Sequence, residues 1–421
     1  MSRHQIYIFG FRGFPGVQGG IETHAEHLAS GLAELGYDVT ACMRSPYVGP
    51  KCKRKWKGVT LLRVWTLRNT YIETLVHSLI CAVLAGIRRP EIVHVHGIGP
   101  ALVTPLLRIL GLRVVVTHHG ADYDREKWGW AARAILRTGE LMGMYFAHKR
   151  IAISRSIGTV ISTKYGRPCE VIPNGVVFSD LPVQTDKIAE LGLAPRRYVL
   201  TVGRLVPEKR QLDLLHAFSN AKLKGWKLVI VGHIDHANSY ADKLVSEARL
   251  ADNVILAGYQ SGETLRQLYG HAALFVLPSS HEGLPIVLLE ARSYGLPVLV
   301  SDIAPNREIV SDPSHTFTVG NIDDLTAKLS VFSKFELDTS KREALRRDNA
   351  RRYDWSKIAV KTAAVYRDLV GPEIESSDTQ ADTTGASIEH GSTMAAELAD
   401  TRDVIRSPVS QTTNESIIWH R

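Results

Sequence analysis

Short apolar runs, rich in β-branched residues, recur along the chain between longer stretches in which apolar positions return at helical spacing. The runs fall at 5–9, 38–43, 59–64, 92–96, 114–118 and 150–154, then at 198–202, 227–231, 254–256, 274–277 and 298–301. Strands that alternate with helices predict parallel sheets covered by helices, because a parallel connection must cross over and the helix supplies the crossing. The fold class expected from this pattern is α/β, with two Rossmann-like doubly wound domains. Residues 176–196 separate the two groups of strands; they contain Asp180, Pro182, Gly192 and Pro195, lack strong periodicity, and are read as linker and hinge. The first domain is expected over 1–178 and the second over 179–352, with a cleft facing the carboxyl ends of both sheets, where open α/β sheets bind ligands.

Beyond the second domain, Ile358, Val365, Tyr366 and Leu369 stand at helical spacing. They predict a last amphipathic helix, in a segment 353–371 expected to pack back toward the first domain. From 372 to 421 Ser, Thr, Asp and Glu dominate, with almost no aromatic residue before Trp419. Such a segment buries too little surface to offset its ordering entropy and is expected to be a disordered acidic tail. The longest apolar helical stretch, 71–87, is interrupted by Glu73 and His77. It falls short of the ~20 apolar residues of a membrane span and is read as a core helix.

Composition narrows the class. Hydrophobic residues make up 44% and charged residues 22%, as in soluble globular proteins, and the first thirty residues lack a secretory layout. The expected location is therefore the cytoplasm. Cys42, Cys52, Cys81 and Cys169 show neither paired spacing nor nearby histidines, which suits reduced thiols rather than disulfides or a zinc site. The net charge is +8, and the tail is acidic, so the rest of the chain is more basic still. Its densest run is Lys51, Lys53, Arg54, Lys55 and Lys57 around Trp56. A solvated loop explains that run; so do the phosphates of a donor or lipid-linked acceptor, or contact with a bilayer surface. No nucleic-acid module accompanies it, so nucleic acid is not an expected partner.

Three blocks carry candidate chemistry. Residues 277–291 read LPSSHEGLPIVLLEA. A strand ends near Leu277, and Pro285 falls where a first helical residue is favoured. The stretch Gly283, Leu284, Pro285, Ile286 and Val287 then offers free backbone N–H groups at a helix start, which suits a diphosphate. Helical side chains tilt toward the N-terminus, so Glu290 can reach back to a ribose diol, while Glu282 in the loop can accept from sugar hydroxyls. Equally, Glu282 could cap the helix and Glu290 make a buried salt bridge. The residues alone do not choose.

Residues 202–209, VGRLVPEK, follow the first strand of the second domain. Arg204 and Lys209 offer a planar fork and a compact ammonium, a pair suited to a leaving diphosphate, or else solvated charges on a surface turn. Residues 10–23, GFRGFPGVQGGIET, follow the first strand of the chain. Their glycines would let backbone approach a ligand, and a helix opening near Gly19 and Gly20 would offer a second set of free N–H groups. The glycine spacing is not that of a dinucleotide fingerprint, which disfavours an NAD enzyme.

The 277–291 block resembles the glutamate, seven residues, glutamate signature of the large retaining GT-B glycosyltransferase family (family 4, group 1), with Glu282 and Glu290 at its two ends. The 202–209 block is similar to that family's phosphate-binding block, although Arg210 stands where the family often has glycine. The N-terminal blocks, 10–23 and 117–129, resemble its rhamnosyltransferase-like subset from bacterial polysaccharide assembly. On that resemblance His119 matches the histidine that contacts the donor sugar, with His118 the near miss. Asn174-Gly175 matches a recurrent turn, with a positive φ expected at Gly175. Asp122-Tyr123-Asp124 is read as polar surface or acceptor contact rather than a metal motif. His94 and His96 are read as pointing to opposite strand faces, which would keep one ion from using both. The likeness spans about residues 5–370.

The resemblance implies an acceptor domain at the N-terminus and a donor domain after it. It also implies transfer of a hexosyl group with retention from a nucleotide-sugar donor to a glycan or polyprenyl-diphosphate-linked acceptor. Glu290 would hold the ribose, Arg204 and Lys209 the diphosphate, and Glu282 and His119 the sugar. No cofactor and no essential metal are expected. An epimerase or phosphorylase of the same architecture, or a non-enzymatic sugar-nucleotide-binding scaffold on membranes, are the alternatives.

Overall fold

The computed structural model describes residues 4–49, 52–69, 72–124, 129–234, 239–334 and 338–371. The acidic tail expected at 372–421 lies outside the described residues, as do Lys51 of the basic run, Tyr71 and residues 125–128 of the second histidine block.

The first sheet has eight strands: β1 (Gln5–Phe9), β2 (Asp38–Arg44), β3 (Lys55–Trp56), β4 (Val59–Val64), β5 (Ile92–His96), β6 (Arg113–His118), β7 (Lys149–Ala152) and β8 (Glu170–Val171). Their order is β3-β4-β2-β1-β5-β6-β7-β8, parallel throughout except the β3–β4 hairpin. The second sheet is built from β9 (Tyr198–Val202), β10 (Lys227–Val231), β11 (Val254–Gly258), β12 (Leu274–Leu277), β13 (Val298–Ser301) and β14 (Thr316–Phe317). Its order is β11-β10-β9-β12-β13-β14, all parallel. The central strands are buried on both faces, which is why they read as continuous apolar runs rather than alternating ones. Only β3, β8 and β14 escape sequence detection, since two residues carry no period. In each sheet the chain order reverses once, between β1 and β5 and between β9 and β12.

The linker contains a short helix, Asp186–Glu190, pinned where the Lys187 N–H donates to Gln267 Oε1 at 2.9 Å. The last helix, Trp355–Val370, lies on helix Gly20–Glu34 of the first domain: Ala359 faces Gly31, and Tyr366 Oη meets His94 Nδ1 at 2.6 Å. Helix Thr339–Tyr353 instead packs on the second domain, where Asn349 Nδ2 donates to the Leu289 carbonyl at 2.9 Å.

The stretch read as a core helix packs on the core along one face. It forms Glu73–Arg88, and it buries His77, Ser78, Cys81, Ala82 and Ala85 while Leu79, Val83 and Ile87 face out, Ile87 being 73% exposed. Ile80 and Leu84 of the same helix pack against the core, so large apolar residues stand on both sides of it. No helix among the described residues is long and apolar enough to cross a membrane.

Candidate active site

Ligands of doubly wound sheets bind where the strand order reverses, because the connections diverge there and leave a crevice. At the β9/β12 reversal the two diverging loops are residues 203–210 and 278–285, the two blocks singled out in the second domain. They are tied together: the Ser280 N–H donates to the Glu208 carbonyl at 2.9 Å, and Lys209 Nζ donates to Glu282 Oε1 at 2.5 Å. Both charged side chains are largely shielded, at 16% and 9% exposure. Glu282 therefore holds Lys209 and does not cap the helix. Arg204 stands half-buried two residues past β9, its carbonyl accepting from Gln211 Nε2 at 2.8 Å. Arg210 adopts a left-handed conformation (φ 52°, ψ 35°) at the end of the short helix Pro207–Lys209, with Nε on Asp213 Oδ2 at 2.6 Å. That backbone requirement accounts for glycine being favoured there.

The helix after β12 begins at Ile286, one residue later than expected. Pro285 is its extended N-cap, and its carbonyl accepts from the Leu288 and Leu289 amides. Among the described residues the amides of Gly283, Leu284, Ile286 and Val287 have no acceptor. They stand at the positive end of the helix. Glu290, on the same helix, makes no salt bridge among the described residues; its Oε2 accepts from Tyr269 Oη at 2.9 Å. Burial raises its pKa above the ordinary carboxylate value, and the Tyr269 bond opposes that rise. Its second oxygen stays unpaired among the described residues, the arrangement a diol donor would complete.

At the β1/β5 reversal the glycines serve two ends. Gly10 (φ 114°) and Gly13 are required by internal packing, since a Cβ would press into the His96 backbone and into Val48. They do not make room for a ligand, whereas Gly16 and Gly20 face open space. Gly19 (φ 143°) is the N-cap of helix Gly20–Glu34. Over it folds the Glu22 carboxylate, which accepts from the Arg12 amide and Nε, both at 3.1 Å. The chain's own anion thus already answers part of this helix end, which sequence alone did not indicate.

The two neighbouring histidines separate cleanly. The Gly120 amide donates to His118 Nδ1 (3.1 Å), so His118 Nε2–H donates to Glu140 Oε1 (2.9 Å), deep inside the first domain. Lys164 Nζ (2.6 Å) and Tyr165 Oη (2.7 Å) reach the other oxygen of Glu140. His119 turns instead to His96 Nδ1 (3.2 Å) and is only partly covered. Burial first, then the rings of His24, His118 and His94, hold its pKa well below the usual histidine range, so it is a neutral imidazole at pH 7. His94 and His96 share one strand face, their rings 4.2 Å apart. The expectation of opposite faces is wrong because residues two apart on a strand point the same way. Tyr123, between Asp122 and Asp124, is buried, with Arg137 and Lys164 over its ring at 5.2 and 5.3 Å.

The two reversal points meet. A Cβ at Gly283 would collide with the His119 carbonyl, and one at Gly120 would lie 3.6 Å from the Gly283 Cα. Buried Asn174 bridges the domains, Nδ2 donating to the Leu284 carbonyl (2.7 Å) and Oδ1 facing His24 Nδ1 (2.9 Å). Gly175 is not at positive φ, contrary to expectation; it is small because the Trp355 ring lies against it. His119, Glu282, Lys209, Gly283 and the open helix start thus line one cleft.

Comparison with known proteins bears on this arrangement. The Glycosyltransferase Family 4 model matches residues 18–179, and the Glycosyl transferases group 1 model matches 183–352. A GDP-mannose:cellobiosyl-diphosphopolyprenol alpha-mannosyltransferase of Xanthomonas campestris is 30% identical over 312 residues, 69% of this chain and 77% of that protein. The chain belongs to the group 1, family 4 glycosyltransferases. Over 406 residues this glycosyltransferase is also 27% identical to an MMP alpha-(1->4)-mannosyltransferase of Mycolicibacterium hassiacum, covering 84% and 95% of the two chains. Among solved structures, sucrose-phosphate synthase from Thermosynechococcus elongatus aligns with a TM-score of 0.73 at 20% identity (87% and 99% covered). Anabaena HepE, in complex with UDP and glucose, aligns at 0.71 and 18% (87% and 100%). These likenesses establish the GT-B fold of two Rossmann-like domains.

Asn174, Arg12, Glu22 and Glu140 were missed as structural determinants of this glycosyltransferase's cleft. Asn174 and Glu140 act through partners distant in sequence, so no local spacing marks these roles, whereas Arg12 and Glu22 pair ten residues apart within the 10–23 block.

Proposed function

We propose that this glycosyltransferase moves a hexosyl group, with retention of configuration, from a nucleoside diphosphate sugar to a glycan or polyprenyl-diphosphate-linked acceptor in cell-surface polysaccharide assembly. The observation that carries the reading is the meeting of the Lys209–Glu282 pair and the unpaired amides at 283–287 with His119 across the cleft. As the glycosidic bond breaks, charge grows on the diphosphate, and donors fixed beforehand stabilise it more in the transition state than in the ground state. Lys209, Arg204 and the helix start supply those donors, so the step needs neither a cofactor nor an essential metal. The acceptor hydroxyl attacks from the leaving-group face and passes its proton to the departing phosphate. Glu282 and neutral His119 orient the sugar, and Glu290 holds the ribose. Of the relatives named above, one is by name a cellobiosyl-diphosphopolyprenol mannosyltransferase and the other an alpha-(1->4)-mannosyltransferase, which supports a lipid-linked or glycan acceptor.

Contact with an anionic bilayer belongs to the same reading. Helices Glu73–Arg88 and Thr104–Ile109 leave Ile87 and Ile109 exposed next to Arg88, Arg89 and Arg108. Exposed apolar side chains next to cations suit a headgroup boundary.

A thermal-shift screen of UDP-, GDP- and dTDP-sugars identifies the donor, since a ligand that binds only the folded state raises its melting temperature. Transfer to a diphosphopolyprenol-linked glycan, with the anomeric configuration of the product read by NMR, then tests the reaction. An inverted product refutes retention. A new sugar nucleotide formed without acceptor identifies an epimerase instead.

A further inference from the structure

The β1/β5 reversal point holds a cluster that leaving-group stabilisation does not use. His24 comes from helix Gly20–Glu34, His96 ends β5, and His119 follows β6. One ring nitrogen of each lies within 4.8 Å of the other two. The rings of His24 and His119 meet edge-on at 4.8 Å, and His96 lies 5.4 Å from both. Two of these rings carry a buried nitrogen with no hydrogen-bond partner among the described residues, Nε2 of His24 and Nε2 of His96. Unpaired polar atoms at that depth are costly, and each asks for a ligand.

The hydrogen bonds fix what His24 offers. Asn174 Nδ2 must face the Leu284 carbonyl, so its Oδ1 faces His24 Nδ1, and an amide oxygen only accepts. The His24 proton therefore sits on Nδ1, and Nε2 is a bare lone pair. Burial holds His24 neutral, its pKa pushed down to about 4, and does the same for His96 and His119.

We infer that His24, His96 and His119 form a site for a borderline transition-metal dication such as Zn²⁺, with a fourth position open to the cleft. Three neutral imidazoles and one exchangeable position are a set that zinc accepts. The His24 Nδ1–H on Asn174 is the outer-shell hydrogen bond that orients such a ligand. A tetrahedral centre with bonds of ~2.1 Å sets its nitrogens about 3.4 Å apart. The three nitrogens, within 4.8 Å of one another, then draw together by little more than an ångström at most. Bound metal ties up His119, so it opposes transfer instead of supporting it. That consequence rests on the sugar-transfer reading; the binding does not.

The test is titration of the full, tag-free chain with Co²⁺, followed by visible absorption. One equivalent is expected to produce the ligand-field bands of four-coordinate cobalt and to be displaced by Zn²⁺. His24→Gln and His96→Gln should each weaken binding by at least about tenfold, the lower bound for disturbing a metal site. His27→Gln, whose ring stacks on Trp355 at 5.2 Å outside the triangle, should retain it. Absence of these bands in the wild type overturns the site whatever the variants do, and so does their persistence in both variants. Separately, one equivalent of Zn²⁺ should raise KM for the donor sugar. Binding without that effect leaves the metal site standing and removes His119 from the sugar.

Discussion

Replacing Gly283 with alanine tests whether catalysis depends on the close approach of the two domains. The new Cβ would fall well inside the 3.0 Å that real Cβ atoms respect from the His119 carbonyl oxygen, with the carbonyl carbon at 3.1 Å and Ile153 Cδ1 at 3.2 Å. Isoleucine can rotate away, but the carbonyl belongs to backbone at the end of β6. Relief therefore requires the 278–285 loop and residue 119 to separate by about 1 Å to reach ordinary contact. A misplacement of that size costs roughly a hundredfold in rate, or about 2.7 kcal/mol in the barrier. Neither sheet core is touched, so the melting temperature should change far less than the activity. The assay is kcat/KM for transfer beside a thermal melt, with Gly129→Ala as control, since a Cβ there meets nothing within 4 Å. A Gly283→Ala enzyme within threefold of wild type would show that the sugar does not sit between His119 and the loop.

Arg204→Ala should lose roughly a hundredfold in turnover, on the order of 3 kcal/mol, if the guanidinium stabilises the departing diphosphate; turnover within a few-fold removes that role. Glu290→Gln keeps the shape but replaces one acceptor oxygen, so nucleotide affinity measured by calorimetry should fall by about tenfold, the worth of one charge-assisted hydrogen bond; an unchanged Kd rules out the ribose contact. Glu140→Gln should destabilise the first domain by roughly 2 kcal/mol, because it disrupts a buried acceptor that serves four donors, His118, Lys164, Tyr165 and Tyr123. Burial alone would raise the Glu140 pKa, but the bonds from His118, Lys164 and Tyr165 outweigh it and bring it to about 2. A carboxylate so depressed contributes its stability in full above its ordinary 4.5 and loses it as pH falls toward 2. The variant's melting temperature should therefore fall less steeply than the wild type's over that range, and parallel curves would refute the assignment.

Features written in local spacing were legible in the sequence. Eleven strands appear as apolar runs because both faces of a central parallel strand are covered. The 203–210 and 278–285 loops were found because strand, glycine or proline and helix follow one another within a few residues. What escaped depends on distance in sequence. Glu140 looks like any polar position of an amphipathic helix, and only the fold brings His118, Lys164 and Tyr165 to it. Gly10 and Gly175 looked like conformational requirements or ligand clearance, yet the first answers to the His96 backbone and the second to an indole from the last helix. The outward apolar face of Glu73–Arg88 was hidden for another reason: a helix pattern is read from two faces that differ in polarity, but here apolar residues stand on both, Ile80 and Leu84 on the core and Leu79, Val83 and Ile87 outward.

The Lys209–Glu282 pair makes one proposed role hard to separate from another. A lysine held at 16% exposure beside a carboxylate gives up most of its hydration before any donor arrives, so less solvent must reorganise when a diphosphate takes its place in the field of that ammonium. On the proposed reading the same contact constrains Glu282: one of its oxygens is committed to Nζ, and the other is the one that would accept from a sugar hydroxyl. Loss of either side chain leaves the other as a shielded, unbalanced charge. A single substitution at 209 or 282 therefore reports the pair, and only the coupling between them in a double-mutant cycle can divide cation placement from sugar recognition. The unpaired amides at 283–287 carry no such ambiguity, since they are backbone and neutral. On the proposed reading they are the part of the site whose affinity for a diphosphate the charged pair would tune but not create.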